Sequence, residues 1–589
     1  MRLFKYFVSF VVLALGQKTV WDGCLGKGPV EYRTNSSKNR TFDPVQINSL
    51  YDNTMVTAVY ETLLDYKYLK EPFELKPELA EEMPVMSKDG LTFSIKLKKG
   101  IYFADDGCFM GGQGREVVAQ DVAYSILRHF DPNNASTGKW LLQGRIVGLD
   151  AWGKRADYAQ LPAGIQIKGT HHLEIKLVKP FPQFMYALAM GYLAVIPKEA
   201  VDKYDKDFPL HPVGSGPWKV AHTDRSKVIL ERQPKYRREI FDLQAEGYDP
   251  VIHKSFGVEK LQGKRLPIVD RVVVSFIQEP AAQWNSFTKG DEIQSAGLPP
   301  EQLEQVLQSR SPITLKKEYQ DKYRFHAAQE FGYIFTDFNM EDKDFGVVAD
   351  PKENGRRRAL RCAIRKSFDW QARIDRFFYG MGKPFPGIIS PDLDGYRDDV
   401  SRDSITLDIE GAKKLLKDHG WNARTLPVLR VGGVAGVKTR QMFMQLRSFL
   451  IKIGYPKQKI KPKEYSTFSA FAQAVDSREV PLIGMGWSMD YPDAENVLQR
   501  YYGPNHTPGS NSSNYSNPEF DRLFEAASVL PPGAQRTELY QKAQQLLLDD
   551  CVVISGFSRT GIHLWHKNVT MYPRKDVIGS TYKYVMVEE

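Results

Sequence analysis

From Thr92 to Leu97 the chain alternates, with Phe93, Ile95 and Leu97 on one side and Thr92, Ser94 and Lys96 on the other. That period of two predicts a half-buried strand, and Asp89-Gly90 before it is a turn pair. His172 to Leu177 repeats the pattern through Leu173, Ile175 and Leu177. Between them the period changes: Val122, Ile126 and Phe130 recur every four residues, which predicts a helix over 118–130. Further on, 268–277 reads as a strand and 357–366 as a helix. Asp369 and Asp408 stand where helix caps are expected, and Gly420 ends the second of those helices. Val428 to Val431 is strand-like. Met442, Leu446, Phe449 and Ile453 mark a helix, and 481–487 reads as a buried strand leading into a polar loop. Residues 17–50 are polar and irregular and read as a tether. Strands that alternate with helices indicate α/β layers.

At 589 residues the chain exceeds one ordinary core, so two or three domains are expected. Aromatic residues make up 12%, enough for a large core plus stacking surfaces for a ligand. The net charge of +9 arises from 80 basic and 71 acidic residues that are interleaved along the chain. Interleaving gives a mixed solvated surface, not a nucleic-acid patch.

Met1-Arg2-Leu3-Phe4-Lys5 followed by the apolar run Tyr6 to Gly16 fits a secretory signal over 1–16, with Ala14-Leu15-Gly16 as a cleavage site. Cys24 is a second candidate for the mature N-terminus, as a lipid-modified residue. Trp21 at its −3 position and polar Gln17, Lys18 and Asp22 depart from the usual box. The four cysteines, Cys24, Cys108, Cys362 and Cys551, are too scattered for a zinc ribbon. Cys362, among Ala359, Leu360, Ala363 and Ile364, reads as a small buried apolar residue. An exported chain could also pair two of the four, without the sequence saying which.

Catalytic and metal motifs find no support. Gly111-Gly112-Gln113-Gly114 is followed by Arg115-Glu116 and lacks the Gly-Lys-Ser/Thr of a phosphate loop. Gly214-Ser215-Gly216 meets Pro217, where a nucleophile elbow needs a free N–H, so it reads as a tight turn. His171-His172 would point to opposite faces of a strand. Asp105-Asp106 reads as a turn. No cofactor is expected.

Other landmarks form an ordered series. They begin with Val59-Tyr60-Glu61-Thr62-Leu63, Leu79-Ala80-Glu81 and Leu97-Lys98-Lys99-Gly100-Ile101-Tyr102-Phe103. Ala119-Gln120-Asp121-Val122-Ala123-Tyr124-Ser125 and Pro212-Val213-Gly214-Ser215-Gly216-Pro217-Trp218 follow. Ala412-Lys413-Lys414-Leu415-Leu416, Gly486-Trp487 with Asp490-Tyr491-Pro492, and Asn514-Tyr515-Ser516-Asn517-Pro518-Glu519-Phe520-Asp521 complete it. In this order the chain strongly resembles the solute-binding proteins of peptide-type ABC importers, the oligopeptide and dipeptide binders, from about Pro44 onward.

The resemblance implies a two-lobed α/β periplasmic-binding-protein fold of type II, in its large cluster, with an extra domain inserted in the first lobe. The first lobe would hold 17–62, 206–330 and 556–589, the extra domain 63–205 and the second lobe 331–555. Hinge crossings are expected near Tyr333 and Ser555. It further implies a monomer, exported to the periplasm or cell surface, that delivers peptides to a membrane ABC permease and binds no nucleic acid. In the family an Asp shortly after Gly-Trp meets the peptide ammonium, and here that residue is Asp490. Trp487 would wall the pocket, and Gly486 and Ser488 would offer backbone groups. Two departures stand out. Ser488 replaces a cysteine found in some members, and Leu482-Ile483-Gly484-Met485 lacks a basic residue that could meet the ligand carboxylate. Lys438 and Arg440 are the candidates to replace it. Relatives that bind nickel complexes, haem or oligosaccharides keep another ligand open, and a secreted hydrolase is the non-transport alternative.

Overall fold

The computed structural model describes residues 28–35, 38–39, 41–290, 293–507, 509–574 and 579–588. The expected signal segment 1–16 and Cys24 lie outside the described residues. No helix among them is long and apolar enough to cross a membrane.

The segment expected to be a tether contains a strand, Val30–Asn35. Strand β1 (Val30–Asn35) lies parallel to a later strand, Val30 opposite Arg271. Two polar residues of this stretch are buried in ion pairs. Glu31 is fully buried against Arg33. Asp43 receives two bonds from buried Arg128, at 2.7 and 2.8 Å. A polar residue counts as solvated only until a long-range partner is known.

Helix α1 (Leu50–Val59) leads to residues 63–205, the stretch expected to be an inserted domain and called the inserted region below. There β2 (Thr92–Lys96) pairs antiparallel with β3 (His172–Lys176), in a four-stranded sheet with Val85–Met86 and Ile165–Gly169. Helix α2 (Ala119–Arg128) packs beside it. The chain returns through the Pro212–Trp218 turn. A Cβ at Gly214 or Gly216 would fall 2.0 or 2.6 Å from the Val59 carbonyl oxygen, so glycine is required at both. Ser215 donates to buried Glu61 at 2.8 Å, which occupies its hydroxyl. Strands β4 (Trp218–Thr223), β5 (Lys227–Arg232) and β6 (Arg271–Phe276) complete a sheet of order β1-β6-β5-β4. Phe93, Ile95, Leu173 and Ile175 share one hydrophobic core with Val59, Val228 and Val272, so the inserted region packs as part of the first lobe.

Strands β7 (Tyr323–Gln329) and β8 (Gly332–Phe338) lie end to end. The second lobe then contributes α3 (Pro351–Lys366), α4 (Trp370–Phe377) and α5 (Ile409–Asp418), then β9 (Leu429–Val434) and α6 (Val437–Lys452). Next come β10 (Ile460–Tyr465), α7 (Phe468–Asp476) and β11 (Leu482–Ser488). Asp369 and Asp408 cap α4 and α5 as expected, accepting from Ala372 and Gly411 N–H at 2.9 and 2.8 Å. The 14-residue β12 (Val553–His566) pairs with β8 near its start and with β7 along its later half. One sheet, with β12-β8-β11-β9-β10 in sequence, therefore runs through both lobes.

Cys362 is half-buried and is not the small buried apolar residue its neighbours suggested. It forms a disulfide with Cys551, 189 residues on, which ties α3 to the start of β12. Two cysteines so far apart in sequence carry no local signal of pairing; only the packing of α3 against β12 sets their Cα atoms 5.2 Å apart.

Candidate functional site

The sequence reads 481–487 as a buried strand, and β11 (Leu482–Ser488) is only partly so. It pairs along its whole length with β8, from Gly332 opposite Ser488 to Phe338 opposite Leu482. On its other side β9 meets it only at Leu482 and Ile483 and then diverges. From Gly484 to Ser488 that second edge has no strand partner among the described residues. Gly484, Gly486 and Ser488 are exposed, each two residues from the next, so they share one face. A Cβ at Gly484 would meet nothing nearer than Thr336 Oγ1 at 3.9 Å, and one at Gly486 nothing nearer than the Tyr333 oxygen at 3.8 Å. These glycines leave open space over the sheet.

The edge ends at Asp490. Its Oδ2 accepts from Asn496 Nδ2 at 3.0 Å, and its N–H donates to Asn496 Oδ1 at 3.3 Å. The same Oδ1 accepts from Trp487 Nε1 at 2.9 Å. Fully buried Asn496, which sequence reading missed, thus orients both predicted residues. No short-range signal marks an Asn six residues after the Asp. Trp487 is half-buried, and the Arg500 guanidinium lies 5.3 Å from its ring, so it packs in the second lobe with part of its surface open.

Burial pushes the Asp490 carboxyl above its ordinary range, the Asn496 bond pulls it down, and the Glu495 charge raises it further. Among the described residues Asp490 makes no ion pair. Tyr66 and Tyr192, in the region between the two parts of the first lobe, lie near enough for its charge to add to burial in raising both phenols, Tyr192 to about 12. The Tyr66 hydroxyl is buried with no hydrogen-bond partner. The inserted region and the second lobe also touch directly: Tyr186 stacks on Tyr491 with centroids 5.9 Å apart, and Gln183 donates to Asp493 at 3.5 Å.

The remaining two candidates sit on α6. Arg440 donates to both Glu464 oxygens, at 2.8 and 2.9 Å, which commits its charge. Lys438 has its Nζ 4.5 Å from the centre of the Phe378 ring and makes no ion pair among the described residues. Burial, with the Arg559 charge nearby, holds its ammonium below the usual lysine range.

His171 pairs with Glu116 and His172 with Ser94. Among the described residues no group of three His, Cys, Asp or Glu side chains could hold a metal ion.

The family model of bacterial extracellular solute-binding proteins, family 5 Middle, matches residues 74–509. Haem-binding protein A of Haemophilus influenzae is 24% identical over 510 residues, covering 84% of this chain and 80% of that protein. The periplasmic oligopeptide-binding protein OppA of Escherichia coli is 23% identical over 563 residues, covering 93% and 91%. The solved structure of HbpA2 from Haemophilus parasuis is 18% identical and superposes with a TM-score of 0.73, covering 95% of this chain and all of that one, which shows a common fold.

Proposed function

The chain belongs to the bacterial extracellular solute-binding proteins of family 5, and from that premise we propose that it binds short peptides between its lobes and presents them to an ABC permease in the cell membrane. It is a binding protein and not an enzyme. One observation carries the peptide reading: an unpaired strand edge that ends on a carboxylate with no cation partner. An extended peptide has a backbone that can add to such an edge and an ammonium that can neutralise the acid. A buried charge without a partner is costly, so Asp490 favours a cationic end group. Of the two relatives described above, one is named for haem and one for oligopeptides. Haem carries no ammonium for Asp490, which supports the peptide. Gly486 and Ser488 would offer backbone groups and Trp487 a wall. The first lobe with its inserted region would cover the bound peptide by rotation near Tyr333 and Ser555, in the periplasm or at the cell surface. The protein would act as a monomer.

The test is calorimetry with a peptide and its N-acetylated twin, on wild type and on Asp490→Asn. Removing one partner of a buried ion pair typically costs about 3–5 kcal/mol, so acetylation should weaken wild-type binding by roughly 100-fold or more. Asp490→Asn should lose most of that preference. Costs that simply add would show that Asp490 does not hold the amine.

A further inference from the structure

The interleaving of charges along the chain fails in one stretch. From His419 to Lys463 there is no acidic residue, against ten lysines and arginines. Helix α6 is the centre of that stretch. Phe443, Leu446, Phe449 and Leu450 turn one side of it into the core of the second lobe. The other side carries Val437, Met444 and Ile451, which are 71%, 50% and 43% exposed. Residues seven apart drift by only about 20° around a helix, so the three form one stripe. It runs roughly 21 Å along the surface at about 1.5 Å per residue. A single exposed apolar side chain needs no explanation, but three in line on one helix do.

Cations border the stripe. Arg447 lies against it, its Nη2 donating to the Met444 sulfur at 2.8 Å. Lys452 ends the helix one residue after Ile451, with its Nζ 5.9 Å from the centre of the Phe449 ring. Lys457 opens the short turn Lys457–Lys459 that leads into β10. Lys452 and Lys457 are exposed, and none of these three cations makes an ion pair among the described residues. Acids on neighbouring elements are engaged elsewhere. Glu464 is held by Arg440 at 2.8 Å and Asp344 by Lys343 at 3.4 Å. The Asp342 Oδ1 accepts from the N–H groups of Asp344 and Phe345, at 2.9 and 3.0 Å.

The chemistry of this face selects its partner. The outer side of a helix is convex, and this one presents no aromatic anchor; protein interfaces favour such anchors and disfavour lysine. A bilayer surface needs no matching pocket. Aliphatic side chains enter the boundary between headgroups and acyl chains, while lysine and arginine keep their charges at the headgroups. Positive borders then select anionic headgroups. We propose that the outward face of α6 is a membrane-contact site that lays the second lobe on a bilayer rich in anionic lipid. Val437, Met444 and Ile451 enter the headgroup boundary, and Arg447, Lys452 and Lys457 meet lipid phosphates. The site is independent of the peptide reading, because the stripe lies on the side of α6 turned away from the core. Such a contact would raise the concentration of an exported binding protein beside a membrane permease.

Flotation of the purified full chain with vesicles tests it. One set is phosphatidylcholine; the other carries about one third phosphatidylglycerol, enough for a negative surface potential. The second set should bind the protein at least roughly tenfold more tightly, and about 0.5 M salt should abolish the difference by screening. An apolar leader or a lipid at the N-terminus would serve both sets alike, so the difference between the sets is the readout. Lys452→Glu with Lys457→Glu should weaken binding to the anionic set by at least roughly tenfold. Met444→Ser with Ile451→Ser should weaken it by roughly fivefold or more, through lost apolar contact. All four positions are exposed, so both double variants should melt as wild type does. Val251→Ser, at a 92% exposed apolar residue of the first lobe, is the control and should bind like wild type. Equal binding to both sets, full binding by either double variant, or an equal loss in the control overturns the proposal. Capture by a permease in neutral vesicles, with no gain from anionic lipid, overturns it in favour of a protein partner.

Discussion

At the scale of one residue, Asp490 carries a charge whose burial costs the empty protein stability, as a residue kept for a ligand would. Its folded carboxyl binds a proton more tightly than an exposed aspartate does, chiefly because burial disfavours the charge. An acid whose folded pKa is raised opposes folding once it ionises. The penalty is absent below the ordinary aspartate range, grows as pH rises from the unfolded towards the folded value, and is complete above the latter. Asp490→Asn removes it. The ligand-free variant should therefore melt slightly higher than wild type at neutral pH, by about 1–2 °C, with no gain at low pH. Melting curves at several pH values check this; a variant that is less stable at neutral pH would show that Asn496 and its surroundings stabilise the charged form. Under the proposed function the same residue would trade stability for affinity, since the unmatched charge that weakens the empty protein would be the one that meets the ligand.

Among the elements, β11 and β12 carry the design. β11 is fixed along one edge by β8 and freed along the other by the divergence of β9, so a rigid strand offers its backbone to the cleft. β12 is pinned where it starts. The disulfide joins Cys551, two residues before β12, to Cys362 in α3 and closes a long loop. By the chain-entropy view, long loops give the larger gains, so Cys551→Ser should cost about 3–5 kcal/mol of second-lobe stability. Denaturant unfolding of wild type and variant, with and without reductant, measures it. Equal midpoints for all four samples would show that α3 and β12 need no staple.

At the scale of the whole molecule the two lobes are joined by two neighbouring paths, the β7–β8 junction at Glu330-Phe331 and the continuous β12. The inserted region, sharing the core of the first lobe, would move with it. The Tyr186–Tyr491 stack and the Gln183–Asp493 contact are then ones that lobe closure would make. A ligand that touches both lobes shifts the population towards the closed form by its differential affinity. Small-angle scattering should show a smaller radius of gyration at peptide saturation, and Tyr186→Ala should reduce that difference. An unchanged radius at saturation would mean that peptide binds without closure.

Much of this was legible in the letters. The alternation at Phe93, Ile95 and Leu97, the caps Asp369 and Asp408 and the ordered landmarks from Val59 to Asp521 depend on neighbours a few residues apart, and local periodicity records those directly. The family followed from the landmarks, and with it the choice of Asp490 as the residue to watch. Other features depend on partners hundreds of residues away, and those appear only in the folded chain. The polar stretch around Glu31 and Asp43 reads as solvent-facing until Arg33 and Arg128 are seen to neutralise it inside the core. Lys438 and Arg440 look alike in sequence, yet Glu464 occupies one and leaves the other with no ion pair among the described residues. A strand's letters do not say whether its second edge is covered; the freedom of Gly484 to Ser488 was decided by where β9 turns away. Sequence by itself determined the elements and the family, because both are written in short-range order. Tertiary structure alone decided which edges, charges and cysteines find partners, because that is settled by packing at long range.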